Sequence, residues 1–480
     1  MNVLFTIAPW SHTQTLPKTM ARKSFLNKKF AMTNSLNYPA GLLYICATLK
    51  QAGHTTLYVD GYYNTKEQIL GRIEEFKPTW VGVSCIHFSW ENTKPFLTEM
   101  RQRFPGLKIV IGGYFPSAVK KQCLEECPAV DCAVVGEGEY RSVQLCEALE
   151  GKRKMEDVDG LVWRKNGQIV ENELKGVIMD LDSIPFPDYD QINFWDYSPA
   201  IGSYKALPSA MIFSSRGCKG RCAFCLSNKV VRYRSPDNLI AEITLLRTKY
   251  GIRHLQFFDE TFTVVRDRAY EILKKMIDSG CRLPWTANAR ADCVDMELLR
   301  AMKKAGCWRV HVGAESGVQK NLDAISKGIT VEQIRRAVHM VKRAGMEAYA
   351  SFIIGLPTET YEEALKTIEF ACSLPLDYAN FHNLTPAAGA PISQNIEKWG
   401  RIVGPRSFHH ITFVPHTMTL EQVAELLVVA YKRFYFRPKY LVRKFFRQRS
   451  MEDVRRNLRG FWAYSRLKPE HQLEVVCTHD

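Results

Sequence analysis

A repeated alternation of short β-rich runs with amphipathic helical segments limits most strongly what this chain can fold into. A first series fills about the first 150 residues, with strands predicted at 3–8, 56–60, 80–85, 108–112 and 132–135. A second series runs from Ala210 to about Thr385, with strands predicted at 210–214, 254–258, 285–289, 309–312 and 348–354. Successive β-then-α units form parallel sheets covered by helices. The pattern therefore predicts an α/β protein in which a Rossmann-like domain precedes a complete or partial (β/α) barrel.

Four segments follow from this pattern. Residues 1–150 are predicted to form the first α/β domain, and residues 206–400 the barrel domain. Residues 151–205 are predicted to be a linker that contains a hairpin around Asn166-Gly167. Residues 401–480 are predicted to be a helical, basic C-terminal region, in which Thr419-Leu-Glu-Gln422 forms a capping box at the start of a helix.

The composition indicates a globular protein of the cytoplasm. Hydrophobic residues make up 46% and charged residues 24% of the 480 residues, close to the average for globular chains. The apolar runs are too short to span a bilayer, and the N-terminus lacks a basic leader followed by an apolar stretch. Because the cytoplasm is reducing, the 14 cysteines are expected to be thiols or ligands rather than disulfides.

The net charge of +15 is concentrated near the C-terminus, where residues 432–459 contain eleven Lys and Arg against two acids. Between Phe434 and Arg449 the cations alternate with aromatic residues. This pattern fits peripheral contact with an anionic membrane or an acidic, hydrophobic substrate. It fits equally well a packed helix with a basic outer face. We see no known nucleic-acid-binding module, so no nucleic-acid partner is expected.

Three cysteines lie within eight residues, directly after the first strand of the second series: Cys218, Cys222 and Cys225. Gly217 and Gly220 allow the backbone to curl, so that the three sulfurs can converge on one inorganic centre. An iron-sulfur cube usually has four cysteine ligands, and the next cysteine here is Cys281. One iron would thus remain open for a small molecule. The alternatives are three unrelated thiols or a structural zinc site, which needs a fourth ligand from the fold.

Two predicted strands of the first domain end in glycines. The run Ile109-Val-Ile ends at Gly112-Gly113, and Val134-Val is followed by Gly136-Glu-Gly138. Glycine lets the backbone approach a ligand closely at a strand end. A cofactor site and a generic doubly wound domain with tight turns both fit these residues.

The C-x3-C-x2-C spacing after a first barrel strand resembles the signature of the radical S-adenosylmethionine superfamily. The resemblance implies that Cys218, Cys222 and Cys225 bind a [4Fe-4S] cluster whose open iron chelates S-adenosylmethionine. It implies that Phe224 packs near the adenine and that Gly355 belongs to an adenine-side motif. It also implies a partial (β/α)6 barrel, and an external electron donor, such as flavodoxin or ferredoxin, that drives cleavage to a 5'-deoxyadenosyl radical.

Further segments resemble the motifs of the superfamily at successive strand ends, in the order expected behind the cysteine loop. By this resemblance Asp259 or Glu260 receives the methionyl ammonium group. Arg290 meets the methionyl carboxylate, and Glu315 and Ser316 lie near the ribose.

The first domain resembles the cobalamin-binding domain of class B-like radical S-adenosylmethionine enzymes, and the layout is similar to the magnesium-protoporphyrin ester cyclase and hopanoid methylase group. The similar segments lie at residues 39–43, 53–60, 81–84, 112–116 and 135–139. The resemblance implies that Ser84, Gly112 and Gly113 line the slot for the nucleotide tail of cobalamin. The Asp-x-His-x-x-Gly motif that supplies an axial histidine in the wider fold is absent. The domain's histidines are His12, His54 and His87, and His87 is expected to be a core or loop residue.

These resemblances imply a cobalamin-dependent methyltransferase that methylates an unactivated carbon atom of a tetrapyrrole, an isoprenoid lipid or a natural-product intermediate. The deoxyadenosyl radical would take hydrogen from the substrate, and methylcobalamin would deliver the methyl group. The cofactors would carry the difficult chemistry while the protein orients them and excludes water. No catalytic acid or base is evident. The alternatives are an anaerobic cyclisation or oxidation with the same cofactors, and an iron-sulfur or cobalamin-binding regulator without turnover.

Overall fold

The computed structural model describes residues 1–9, 37–197, 199, 203–280, 282–404, 411–446, 465 and 467–469. The chain forms two compact units: the first includes residues 1–9 and Tyr38–Asn193, and the second includes the residues from Phe194 onward.

The first unit contains a sheet with five parallel strands in the order β2-β1-β3-β4-β5. The strands are β1 (Asn2–Ile7), β2 (Thr55–Val59), β3 (Trp80–Ser84), β4 (Lys108–Gly112) and β5 (Cys132–Val134). Helices connect them: α1 (Ala40–Gln51), α2 (Lys66–Phe76), α3 (Trp90–Arg103), α4 (Tyr114–Val119), α5 (Gln122–Glu126) and α6 (Gly138–Leu149). The direction of strand order reverses between β1 and β3, and doubly wound sheets bind ligands beyond the carboxyl ends of the strands at such a point. This confirms the Rossmann-like first domain.

A hairpin extends this sheet beyond β5. Its strands β6 (Leu161–Lys165) and β7 (Gln168–Glu171) continue the sheet in antiparallel fashion. The turn residues Asn166 and Gly167 have φ of +50° and +84°, as an Asn-Gly hairpin turn requires. The hairpin was predicted within a linker over 151–205, whereas the structure places it in the first sheet. Residues up to Asn193 also belong to this unit, where Nε2 of Gln191 donates to the carbonyl oxygen of Thr56 at 3.1 Å.

The second unit contains six parallel strands that follow one another in chain order across the sheet. They are β8 (Ser209–Ile212), β11 (His254–Phe257), β12 (Trp285–Ala289), β13 (Cys307–Glu315), β14 (Glu347–Ile354) and β15 (Tyr378–Asn383). The connecting helices are α7 (Pro236–Thr248), α8 (Arg266–Asp278), α9 (Met296–Lys304), α10 (Gln319–Ala324), α11 (Val331–Arg343) and α12 (Tyr361–Ser373). Two short strands after β8, β9 (Ser215–Arg216) and β10 (Arg232–Tyr233), pair with each other. The partial (β/α)6 barrel is confirmed, and β15 is a strand that the sequence pattern did not identify.

The two faces of the six-stranded sheet differ in polarity. Because each strand lies beside its predecessor, right-handed crossovers place the helices on one face. On that face β13 and β14 bury apolar side chains such as Val310 and Ala350. The other face, called the inner face here, carries polar side chains at alternate positions, among them Asn288, His311 and Ser351. Polar side chains that could contact a ligand therefore lie on the inner face of the barrel.

The C-terminal region packs against the edge strand of the second sheet, β15. It begins with an antiparallel pair, β16 (Gly400–Ile402) and β17 (Phe413–Pro415), followed by the helices α13 (Leu420–Tyr435) and α14 (Pro438–Phe446). The hydroxyl of Tyr431 bonds to the backbone of Phe381, and the hydroxyl of Tyr435 to that of Ala379. One helical turn separates the two tyrosines, which matches the two-residue repeat of the open edge of β15. The described part of the chain contains no helix with the length and apolarity needed to cross a membrane.

Candidate functional site

The cysteine loop joins β9 to β10 beyond the carboxyl end of β8. Gly217 has φ of +93°, and a Cβ atom there would lie 2.3 Å from the carbonyl oxygen of Val230, so the turn requires glycine. The amide of Cys218 donates to the carbonyl oxygen of Asn228 at 2.8 Å and closes the loop on itself. All three thiols are free; that of Cys222 is buried and the other two are half-buried.

The sulfur atoms have partners suited to thiolate ligands. The amide of Gly220 donates to Sγ of Cys218 at 3.3 Å, and the amide of Ser227 to Sγ of Cys225 at 3.4 Å. Burial raises the pKa of Cys225, and the negative charges of Cys222 and Cys218 raise it further. A bound cation would offset both effects and favour the thiolate form that binds metal. The donor set therefore fits a cluster.

The arrangement of ligands also bears on the kind of centre. Among the described residues, no three His, Cys, Asp or Glu side chains are grouped as a single metal ion requires. The ligands of a cubane bind separate irons and need not converge on one point. Three thiols that bind separate irons are therefore compatible with the geometry of the loop.

The two carboxylates after β11 have different surroundings. Asp259 is fully buried and accepts hydrogen bonds from the amides of Ser214 (2.6 Å) and Ser215 (3.3 Å) and from the Ser214 hydroxyl. Its carboxylate thus supports the strand that leads into the cysteine loop. Glu260 is exposed, and its Oε1 accepts from the hydroxyl of Ser227, at the end of that loop, at 3.0 Å. Of the two predicted acceptors, only Glu260 is available to an ammonium group.

Arg290 lies beside the cysteine loop, and its contact with the methionyl carboxylate stays a prediction. A Cβ atom on Gly220 would be 2.9 Å from a terminal nitrogen of its guanidinium group. Nε and Nη2 bind the carboxylate of Asp292 at 3.0 and 3.1 Å, and Nη2 also donates to the carbonyl oxygen of Lys327 at 3.1 Å. These contacts fix the guanidinium beside the cysteine loop.

Glu315 and Lys327 form a buried ion pair near the same loop. Oε1 of Glu315 lies 2.6 Å from Nζ of Lys327. Burial alone would lower the pKa of Lys327, but the charge of Glu315 and the proximity of Cys222 raise it. The lysine therefore stays charged beside the cysteine loop. Glu315 has φ of +63°, which turns the end of β13 and directs the carboxylate to this lysine.

The remaining predicted residues of the second unit are engaged in packing and turns. Ser316 is fully buried, and its hydroxyl lies 3.0 Å from that of Thr367. Phe224 packs against an apolar cluster that includes Ile353 and Leu356. Gly355 has φ of +84°, and a Cβ atom there would lie 2.8 Å from Nδ2 of Asn383. Contacts of Phe224 and Gly355 with adenine, and of Ser316 with ribose, stay predictions.

The predicted cobalamin residues lie at the carboxyl edge of the first sheet. Ser84 ends β3 and Gly112 ends β4, and the two are paired in register. A Cβ atom on Gly112 would meet only the carbonyl oxygen of Val134, at 3.8 Å, so its backbone is open to a ligand. Gly113 has φ of +102°, and a Cβ atom there would lie 2.7 Å from the carbonyl oxygen of Cys85. This glycine edge fits a bulky cofactor that approaches the backbone.

The histidines of the first domain differ in their surroundings. His54 directly precedes β2, and its Nδ1 lies 3.2 Å from the amine of Met1, which directly precedes β1. It therefore lies at the amino ends of the parallel strands, whereas the glycine edge lies at their carboxyl ends. The ring of His87 packs edge-on against Phe115 at 5.5 Å between centroids, which fits the expected loop role. His12 lies outside the described residues.

The basic C-terminal stretch contributes cations to packing. The guanidinium of Arg437 donates to the carbonyl oxygen of Cys372 in the last turn of α12. Arg443 donates to the carbonyl oxygens of Leu376 and Pro375 just beyond that helix. Cations at the C-terminus of a helix interact favourably with its dipole. These contacts favour the packed-helix interpretation over membrane contact for α14; the basic residues from Arg447 to Arg459 lie outside the described residues.

Three polar residues of the second unit were not identified from the sequence. Lys327 lies in no recognised motif, and its partner Glu315 is twelve residues away. Glu359 is fully buried, accepts from the amides of Gly355 and Leu356, and has its pKa raised by burial to about 8. His311 is bonded to Asn288 and Ser351. The available signal for His311 was its position within a strand, two residues before the Gly-Ala-Glu segment.

Comparison with known proteins identifies both halves of the chain. The model of the radical SAM superfamily matches residues 212–371, and that of the B12 binding domain matches residues 31–145. An uncharacterized methyltransferase of Pyrococcus horikoshii is 32% identical over 88% of this chain and 93% of its own length. The anaerobic magnesium-protoporphyrin IX monomethyl ester cyclase of Cereibacter sphaeroides is 30% identical over 83% of this chain and 67% of its own.

A solved structure shares the fold. The cobalamin-dependent S-adenosylmethionine radical enzyme OxsB, with aqua-cobalamin and S-adenosylmethionine bound, superimposes with a TM-score of 0.72 at 15% identity. The match covers 96% of this chain and 70% of OxsB. Such a score at this identity shows a common architecture.

Proposed function

Because the chain belongs to the cobalamin-dependent radical S-adenosylmethionine methyltransferase family, we propose that it transfers a methyl group to an unactivated carbon atom of a small or lipid-like molecule. The cofactors of the family are a [4Fe-4S] cluster, S-adenosylmethionine and cobalamin. When bound, the cluster and S-adenosylmethionine supply a radical that removes hydrogen from carbon, and cobalamin supplies the methyl group. Cofactors perform this chemistry, while the protein binds and orients them.

The observation that carries the proposal is the set of charged groups around the cysteine loop. The thiols of Cys218, Cys222 and Cys225 bind three irons and leave the fourth open. Glu260, which contacts the loop through Ser227, receives the methionyl ammonium. Arg290, held by two bonds to Asp292, receives the methionyl carboxylate. Bidentate fixation of a guanidinium gives it a defined direction.

The glycine edge of the first sheet binds cobalamin in this proposal. Ser84, Gly112 and Gly113 contact its nucleotide tail, because the open backbone at Gly112 allows a close approach. An external flavodoxin or ferredoxin supplies the electron that the cluster requires. We propose a tetrapyrrole, an isoprenoid lipid or a natural-product intermediate as the substrate.

One observation favours a second candidate, an anaerobic ring closure or oxidation. The cyclase of Cereibacter sphaeroides is 30% identical over 83% of this chain. Methyl transfer and cyclisation differ in how they consume S-adenosylmethionine. Regeneration of the methyl group uses a second molecule and releases S-adenosylhomocysteine, whereas cyclisation releases only 5'-deoxyadenosine.

The test uses reconstituted protein, reductant, an extract of the native cells and S-adenosylmethionine with a deuterated methyl group. We expect a product one labelled methyl heavier, together with equal amounts of S-adenosylhomocysteine and 5'-deoxyadenosine. The variant with Cys218, Cys222 and Cys225 all changed to Ala should form none of these. An unlabelled product formed with 5'-deoxyadenosine alone would favour the cyclisation, and absence of reductant-dependent 5'-deoxyadenosine would favour a regulator.

A further inference from the structure

A hydrogen-bonded chain on the inner face of the second sheet ends at the turn that carries Glu260. Nδ2 of Asn288 donates to the carbonyl oxygen of Asp259 at 3.0 Å. The backbone carbonyl oxygen of Asn288 accepts from the amide of Phe262 at 3.1 Å. Asn288 therefore holds both ends of the 259–262 turn, and Glu260 lies between the two contacts.

His311 fixes the side chain of Asn288. Nδ1 of His311 lies 3.1 Å from Oδ1 of Asn288, and Nε2 lies 2.8 Å from Oγ of Ser351. A carbonyl oxygen only accepts, so the amide nitrogen of Asn288 must face Asp259 and its oxygen must face His311. Nδ1 of His311 must then carry the proton.

The hydrogen bond of the other ring nitrogen, Nε2, determines which group donates at the start of this hydrogen-bonded series. Burial lowers the pKa of His311 to about 4, so its ring is neutral near pH 7 and Nε2 accepts from the hydroxyl of Ser351. The bonds therefore run from Ser351 to His311, then to Asn288, and end at the carbonyl oxygen of Asp259. Each residue has one hydrogen-bonding arrangement available to it.

The ring is also held by packing. It stacks on Tyr349 with 4.2 Å between centroids and 16° between planes. Asn288 on β12 is paired in register with His311 on β13, and His311 with Tyr349 on β14. These hydrogen bonds and ring contacts thus connect β12, β13 and β14 to the turn that follows β11.

We propose that Asn288 and His311 are positioning residues that hold the Glu260 carboxylate where it receives the methionyl ammonium of S-adenosylmethionine. The proposal rests on the proposed function, because it takes Glu260 as the acceptor. Both residues act through the 259–262 turn. Their removal should weaken cofactor binding and leave the cysteine loop able to bind iron.

The experiment measures the Kd for S-adenosylmethionine by equilibrium dialysis of the cluster-loaded protein, and the change that the cofactor causes in the EPR spectrum of the reduced cluster. Asn288→Asp keeps the size and the acceptor for His311 but cannot donate to Asp259. His311→Phe keeps a ring on Tyr349 and breaks the chain. Each should raise the Kd about 10-fold, the effect of about one hydrogen bond, with iron content unchanged. His339→Phe, on the exposed side of α11, is the matched control and should bind normally.

Glu260→Gln distinguishes a failure of the Glu260 assignment from a failure of the positioning role. If it leaves the Kd unchanged, the assignment of Glu260 fails, and this proposal fails with it. If it weakens binding while Asn288→Asp and His311→Phe stay within about twofold of the wild type, the chain has no positioning role and the site assignment survives. Loss of iron from Asn288→Asp would also overturn the proposal, since Asn288 would then serve the cysteine loop itself.

Discussion

Replacing Lys327 by Met should destabilise the protein strongly, because it leaves a buried carboxylate without its cation. Nζ of Lys327 lies 2.6 Å from Oε1 of Glu315, and the two side chains are only 8% and 9% exposed. Removing one partner of a buried ion pair costs about 3–5 kcal/mol. We expect a loss at the lower end of this range, about 3 kcal/mol in the free energy of unfolding near pH 7.

The assay is equilibrium urea denaturation of the cofactor-free chain, with the transition of the second unit followed separately from that of the first. Lys320→Met is the matched control, because its Nζ forms a pair of similar length with Glu363, at 2.9 Å, but is 52% exposed. An exposed pair contributes less than about 1 kcal/mol. Equal losses for Lys327→Met and Lys320→Met would refute the argument from burial.

A second variant tests the mechanism of the loss. Changing Glu315 and Lys327 together to Met removes both charges and retains two long, unbranched side chains. Replacing a buried pair by apolar residues of similar volume is often neutral or stabilising. The double variant should therefore be more stable than Lys327→Met alone. If the double variant loses at least as much as the single one, the lysine contributes through packing rather than through charge.

Three further predictions concern the edge strand, a buried acid and the glycine edge. Tyr431→Phe and Tyr435→Phe should each cost about 1 kcal/mol in urea denaturation, because each removes a hydroxyl that bonds to the edge of β15; no loss would mean that water satisfies that edge. Burial raises the pKa of Glu359 from 4.5 to about 8, so stability should fall as the pH rises from about 4.5 through 8, and Glu359→Gln should remove that slope; an unchanged slope would contradict the assignment. Gly113→Ala should abolish cobalt binding while iron is retained, because φ is +102° and a Cβ atom would lie 2.7 Å from the carbonyl oxygen of Cys85. Gly106→Ala is the control, since a Cβ atom there would meet nothing within 4 Å. Normal cobalt content in Gly113→Ala would exclude the glycine edge as the cobalamin site.

Local signals in the sequence were sufficient for most of the fold. The capping box of Thr419 and Gln422 was predicted from spacing, and both of its hydrogen bonds are present. Alternation of apolar and small residues located ten of the parallel strands. The strand β15 was missed because Tyr378, Asn380 and His382 are polar and face one side. Its stability depends on pairing with β14, which composition does not reveal.

The site was predictable where neighbours in sequence act together, and less so where distant residues meet. The cysteine loop needs only glycines and spacing. Asp259 and Glu260 are adjacent carboxylates, and tertiary contacts distinguish them: Asp259 is buried against Ser214 and Ser215, whereas Glu260 is exposed. Lys327 reaches the site through a loop, so its role follows from tertiary contacts alone.

The central claim is that one chain binds an iron-sulfur cluster through its cysteine loop and cobalamin through its first domain. The most direct test is anaerobic reconstitution with iron, sulfide and hydroxocobalamin, followed by measurement of iron and cobalt per chain and of the absorption spectrum. We predict about four irons and one cobalt per chain, as a single [4Fe-4S] cluster requires. Four irons without cobalt would contradict the cobalamin assignment, and cobalt without iron would contradict the role of the three cysteines.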